Sequence, residues 1–223
     1  METKRITLFS GHYGSGKTNI AVNYAKHLNS LGFSCVLADI DIVNPYYRAK
    51  DSAMELETMG IHVISSEFAN SNVDVPALPN EVYSVIDNKN KYAIIDVGGD
   101  DRGALALGRY VPGIIAEDNY DMLFVLNLRR PLTSDINGAI AAMNEISIAC
   151  RLPFTGIVNN TNLGNETTAE TVLSSIEVAN ELSRITGIPV KMTCCREDIA
   201  KELEGKVENV FPLSLQNFRK WIS

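Results

Sequence analysis

Residues Gly11-His12-Tyr13-Gly14-Ser15-Gly16-Lys17-Thr18 match the pattern GxxxxGK[ST] in full. The chemistry such a run supports is the holding of a polyphosphate. Glycines let the backbone wrap closely around phosphate oxygens. The loop N–H groups and the start of a following helix supply positive potential. Lys17 is placed to reach the β- and γ-phosphates, and Thr18 offers a hydroxyl to Mg²⁺. A glycine-rich turn alone would be weak evidence. Here a β-branched and aromatic run, Ile6–Ser10, precedes the loop, and a helical pattern over Lys17–Leu31 follows it. That strand–loop–helix order is what the chemistry requires. The nucleotide-binding set is therefore Gly11, Gly14, Ser15, Gly16, Lys17 and Thr18, with the adjacent Asn19.

Two acidic positions fall at predicted strand ends. One is Asp39-Ile40-Asp41, closing the run Ser34–Ile40; the other is Asp96, closing Tyr92–Val97 and followed by Gly98-Gly99. In a parallel sheet the carboxyl ends of the strands line the ligand crevice. Asp39 and Asp41 are two apart and so share one side of an extended chain. An acid ending an apolar strand, as Asp96 does, suits the holding of Mg²⁺ or its waters. Taken singly, each is also an ordinary strand-end aspartate bonding loop amides. Beside a complete phosphate loop, the functional reading is preferred.

The elements that must position these residues alternate along the chain. Beyond those named, strands are expected over Ile61–Ile64, Asp121–Leu128, Phe154–Asn159 and Ile188–Thr193. Helices are expected from Pro79 to Asp87, over Ala104–Ile115 with an interruption at Pro112-Gly113, from a cap at Thr133 or Ser134 to about Ala149, and over Thr167–Arg184. Gly32 stands where the first helix should stop. Apolar strands separated by helices predict an α/β fold with a parallel sheet covered on both faces, in three layers. With 223 residues, no repeat and no linker, residues 1–223 read as a single nucleotide-binding domain. Asn44–Asn80 is the least regular stretch.

Composition narrows the function classes. Lys+Arg number 20 and Asp+Glu 27, a net charge of −7, which weighs against general nucleic-acid binding. The longest apolar runs, Met122–Leu126 and Ala139–Met143, are far short of a membrane span. The first residues carry no signal-like apolar segment, so a cytoplasmic location is expected. Cys35, Cys150, Cys194 and Cys195 show no metal spacing and read as buried reduced thiols.

These motifs, in this order, resemble the MinD/ParA class of P-loop ATPases with a deviant Walker A loop. That class includes the nitrogenase iron protein, CooC and the nucleotide domains of CobQ and CobB. The resemblance covers almost the whole chain and implies a mostly parallel sheet of seven or eight strands and an ATP-dependent homodimer. It implies ATP and Mg²⁺ as ligands, Lys17 and Asp41 in catalysis with Asp41 orienting water, and Thr18, Asp39 and Asp96 around the metal. Gly99 would offer its N–H to the γ-phosphate. Asn159 or Asn160 matches the asparagine that reads adenine. The chain lacks NKxD, the guanine-holding pattern: its local run is Asn159-Asn160-Thr161-Asn162. One departure stands out. The class carries a second lysine and a glycine where this loop has His12 and Tyr13. Arg48, Arg102, Arg129 and Arg130 are the candidate replacements for that cation.

The function expected on this basis is a slow ATPase switch acting on a client protein, with maturation of a metallo- or cofactor enzyme as one role of the class. The competing reading is an ATP-dependent small-molecule enzyme of the dethiobiotin synthetase or cobyrinic acid amidase type, which needs no Asp-x-Asp switch. Leu215, Phe218, Trp221 and Ile222 have helical spacing within Leu213–Ile222. This reads as a last helix packed on the sheet, since it has too few basic residues for a membrane-binding face.

Overall fold

The computed structural model describes residues 3–40, 53–65, 85–99, 107–108 and 110–214. The strands are β1 (Ile6–Ser10), β2 (Cys35–Asp39), β3 (His62–Ser65), β4 (Tyr92–Asp96), β5 (Tyr120–Leu126), β6 (Gly156–Asn159), β7 (Val190–Arg196) and β8 (Val210–Leu213). They form one eight-stranded sheet in the order β3-β2-β4-β1-β5-β6-β7-β8. Every neighbouring pair is parallel. The helices are α1 (Lys17–Ser30), α2 (Ala53–Thr58), α3 (Val111–Glu117), α4 (Ile136–Cys150), α5 (Ala169–Thr186) and α6 (Glu197–Glu202).

The apolar strands explain the layering. Alternate residues of β1 face opposite ways, and both faces are covered. Ile6 and Leu8 join a core with Ile95, Phe124, Ile114 and Met143, beneath α3 and α4. Phe9 lies on the other face with Leu37, Ile94, Val125 and the apolar side of α1, including Ile20, Tyr24 and Leu28. All four cysteines are free and buried, Cys35, Cys150 and Cys194 in these layers and Cys195 in a smaller cluster with Val172, Ile199 and Leu203. Burial pushes the thiols of Cys35 and Cys195 up to about 11 and that of Cys150 to about 12, and holds that of Cys194 well above its ordinary value. They are inert packing groups.

Four local expectations are corrected. Pro112 does not interrupt a helix; it sits in the first turn of α3, where its missing N–H costs no helical bond. The cap of α4 is Asp135, which accepts from the Gly138 N–H at 2.8 Å. Thr133 stands two residues too early: it closes a short 3-10 turn, Pro131–Thr133, and its hydroxyl donates to the Asn127 carbonyl at 2.7 Å. The cap of α5 is Thr168, one residue beyond the expected start. Leu213 belongs to β8 rather than to a helix. Pro212 hides that strand in the sequence, and its place on the last strand of the sheet is one that tolerates proline. The remainder of the expected C-terminal helix and most of Pro79–Asp87 lie outside the described residues. Among the described residues no helix is long and apolar enough to cross a membrane.

Candidate nucleotide site

The phosphate loop leaves β1 and runs into α1 at the carboxyl edge of the sheet. Its glycines are needed for close approach. A Cβ on Gly11 would lie 2.6 Å from the Val125 carbonyl oxygen of β5. Gly16 has φ 92° and caps α1 with no side-chain bond, and the first turn of α1 carries no acid. No acid of the first turn competes for the N–H groups at the start of α1. An anion is the natural complement to that arrangement. Lys17 is buried, Thr18 and Asn19 are half-buried, and the Asn19 carbonyl accepts from Asn23 at 2.7 Å.

The strand-end acids meet this loop. The Thr18 hydroxyl donates to Asp96 Oδ2 at 2.5 Å. Asp39 and Asp96 are direct register partners on β2 and β4, and both are buried. The hydroxyl and two carboxylates are oxygen donors of the kind Mg²⁺ accepts directly or through its waters. Among the described residues no group of three or more His, Cys, Asp or Glu could hold a metal by itself. This donor set suits an ion that arrives with phosphate rather than a resident one. Gly99 follows β4 directly onto the loop: a Cβ there would strike the Gly11 carbonyl and lie 3.1 Å from His12 Cα. Any rearrangement of the segment after β4 is therefore felt by the loop backbone. Asp41, Arg48 and Arg102 lie outside the described residues.

The two asparagines after β6 have separate jobs. Asn159 is fully buried. Its Nδ2 donates to Ser175 Oγ at 2.8 Å, and its Oδ1 accepts from the Thr161 hydroxyl at 2.8 Å and the Thr161 N–H at 3.2 Å. It ties β6 to α5. Asn160 instead donates from Nδ2 to the Ser15 carbonyl of the phosphate loop at 2.7 Å. A Cβ on Gly16 would collide with that amide group.

The turn after β5 also reaches the loop. Arg129 and Arg130 are both exposed, and Arg130 Nε donates to the Gly14 carbonyl at 2.8 Å. Asn127, a residue the sequence reading did not single out, holds this turn. It is fully buried, and its Oδ1 accepts from the Arg129 N–H at 3.0 Å and the Asn162 N–H at 3.3 Å. The signal available was its position immediately after the apolar run of β5, the same strand-end logic that selected Asp39 and Asp96.

Comparison with known proteins places the fold. No family model matches the chain, and no curated protein matches it. Its architecture is similar to solved structures of FtsY. The Thermotoga maritima protein shares 22% identity over 89% of this chain and 64% of that one, with a TM-score of 0.62. The signal recognition particle receptor FtsY of Elizabethkingia anophelis, in complex with GDP, shares 16% over 89% and 60%, with a TM-score of 0.54. The chloroplast FtsY of Physcomitrella patens shares 16% over 89% and 61%, with a TM-score of 0.55. The chain spans about three fifths of the length of these proteins. What it shares with them is the fold, a parallel sheet with helices on both faces.

Proposed function

We propose that this protein is a slow Mg-ATP-dependent switch of the MinD/ParA type, acting on a client protein. The observation that carries the proposal is the junction of Thr18 with Asp96 at 2.5 Å beside the glycine contact of Gly99 with Gly11. One part of this junction serves phosphate and metal. The other joins the segment after β4 to the phosphate loop, so that gain or loss of a γ-phosphate there would shift that segment.

In this reading the loop amides and Lys17 hold the phosphates, and Thr18, Asp96 and Asp39 hold Mg²⁺ directly or through its waters. Bound there, Mg²⁺ would neutralise charge on the β- and γ-phosphates. Asp41 orients the attacking water, and Gly99 offers its N–H to the γ-phosphate. Asn160 rather than Asn159 reads the base, because Asn159 has spent its acceptor inside the fold while Asn160 lies on the loop. Counted from Asn160, the NKxD pattern would put lysine at Thr161 and aspartate at Leu163. No carboxylate is present there to accept from guanine's two N–H donors. Adenine is therefore the proposed base, in contrast to the GDP held by one FtsY neighbour. An ATP-dependent homodimer and a client whose grip changes with the nucleotide complete the proposal.

The test is thermal stability of wild type and Lys17→Ala with ATP, ADP and GTP in the presence of Mg²⁺. ATP at a hundred times its Kd is expected to stabilise wild type by ~2.7 kcal/mol, and the variant hardly at all. Equal stabilisation of both proteins, or none of either, overturns the reading. Tighter binding of GTP than ATP overturns the adenine assignment. Turnover of tens per second by the isolated protein would favour a small-molecule enzyme, since unassisted switches run at ~10⁻⁴ to 10⁻² per second.

A further inference from the structure

We propose that Arg130 is the second cation of this site, contacting the terminal phosphate of the nucleotide bound to its own chain. The proposal rests on the nucleotide reading above. The loop contributes one permanent cation, Lys17, since His12 and Tyr13 fill the positions where the resembling class has lysine and glycine. Tyr13 is 64% exposed and turned away from the fold. Arg130 approaches the same loop from the turn after β5. That turn is built to hold it. The Arg130 N–H donates to the Asn127 carbonyl at 3.1 Å, which also accepts the Thr133 hydroxyl, and the Thr133 N–H donates to the Arg130 carbonyl at 3.1 Å.

Among the described residues the side chain is fixed at one point. Nε donates to the Gly14 carbonyl, and a Cβ on Gly14 would sit 3.3 Å from the guanidinium carbon. Gly14, with φ 74°, thereby makes room for the arginine as well as for the turn of the loop. The guanidinium carries five N–H donors in a planar fork. Nε uses one, and among the described residues the two terminal amino groups have no protein acceptor. An exposed arginine is ordinarily mobile and solvated; here the phosphate loop itself orients the fork. The ligand chemistry that fits is a tetrahedral oxyanion bearing several acceptors, as a γ-phosphate does.

The step it would assist is hydrolysis. A water oxygen bonds to the γ-phosphorus, and the bond to the β–γ bridging oxygen breaks with its electron pair left on the diphosphate. The water's proton leaves to solvent, giving ADP and inorganic phosphate. An arginine aimed at the γ-oxygens stabilises the charge of that transition state without a second subunit, the role an arginine in cis plays in other P-loop proteins.

The test measures ATP and ADP affinities by calorimetry, and single-turnover ATP hydrolysis, for wild type, Arg130→Ala, Arg130→Lys and Lys17→Ala. Arg130→Ala is expected to weaken ATP about tenfold while leaving ADP nearly unchanged, and to slow hydrolysis ~10²-fold or more. Arg130→Lys is expected to recover ATP affinity better than rate, because an ammonium lacks the fork that spans loop and phosphate. Wild-type behaviour of Arg130→Ala, with ATP binding intact in wild type and lost in Lys17→Ala, overturns the role of Arg130 alone. Absence of ATP binding in wild type overturns both readings. Recovery of hydrolysis on mixing Arg130→Ala with Lys17→Ala would show the arginine acting on a partner's nucleotide and overturn the action in cis.

Discussion

Arg5 and Arg130 sit at opposite edges of the same sheet and are used in opposite ways. At the amino edge Arg5 is buried, and its fork is spent inside the protein. It donates to the carbonyls of Val85, Ile86, Asn88 and Lys91 at 2.7–3.3 Å and to both oxygens of Glu117. Lys89 adds a bond to Glu117 at 2.7 Å. This knot joins the starts of β1 and β4 to the end of α3, and it leaves no donor for a ligand. At the carboxyl edge Arg130 and Asn160 each give one side-chain bond to the phosphate loop and, among the described residues, no other. The amino edge spends its donors on the fold, and the carboxyl edge is the one to which the proposed function assigns recognition. The difference is legible in which hydrogen-bonding groups are used up.

The largest effect expected at the recognition edge is from Gly16→Ala. The new Cβ meets the Asn160 amide at a residue whose φ is 92°. Strain of ~1–3 kcal/mol, together with loss of the Asn160–Ser15 bond, should weaken ATP by ~10²-fold or more. Calorimetric titration checks this, and an unchanged Kd would break the idea that Asn160 and the loop are mutually fitted.

Arg5→Ala should do the reverse. Removing one partner of a buried pair costs ~3–5 kcal/mol, read by denaturant unfolding, while ATP affinity of the folded protein stays as in wild type. The same knot has a pH signature. The bond from Arg5, aided by Lys89, holds the Glu117 carboxyl below its ordinary value against the opposing effect of burial. A lowered pKa gives stability that is present above the unfolded value of about 4.3 and is lost as pH falls through the folded one. Wild type should therefore lose more stability on acidification below about pH 4.3 than Arg5→Ala does. Parallel acid limbs would remove Glu117 from the account.

The smallest effect sharpens the comparison within one dipeptide. Asn159→Ala should cost ~1–3 kcal/mol of stability by leaving Ser175 and Thr161 with lost partners, with ATP-over-GTP preference intact. Asn160→Ala should weaken nucleotide binding and alter that preference at less cost in stability. Selectivity that changes with Asn159 instead would reverse the assignment.

Sequence alone determined the parts of this protein that depend on neighbours along the chain. The phosphate loop, the strand that feeds it, the helix that follows and the strand-end acids Asp39 and Asp96 are all short-range patterns. Loop backbone, helix start and strand period are set by residues a few positions apart. Even local signals failed where a distant group intervened. Thr133 has the chemistry of a helix cap, but the turn after β5 draws it into a 3-10 turn, Pro131–Thr133, anchored on the Asn127 carbonyl, and the helix starts after Asp135. Tertiary structure alone decided which asparagine and which arginine reach the loop. Asn160 meets Ser15 across 145 residues and Arg130 meets Gly14 across 116. Neither spacing leaves a periodic trace in the sequence. The parallel register of β1, β5 and β6 carries the ends of those strands to one edge, and that shared edge selects the partners.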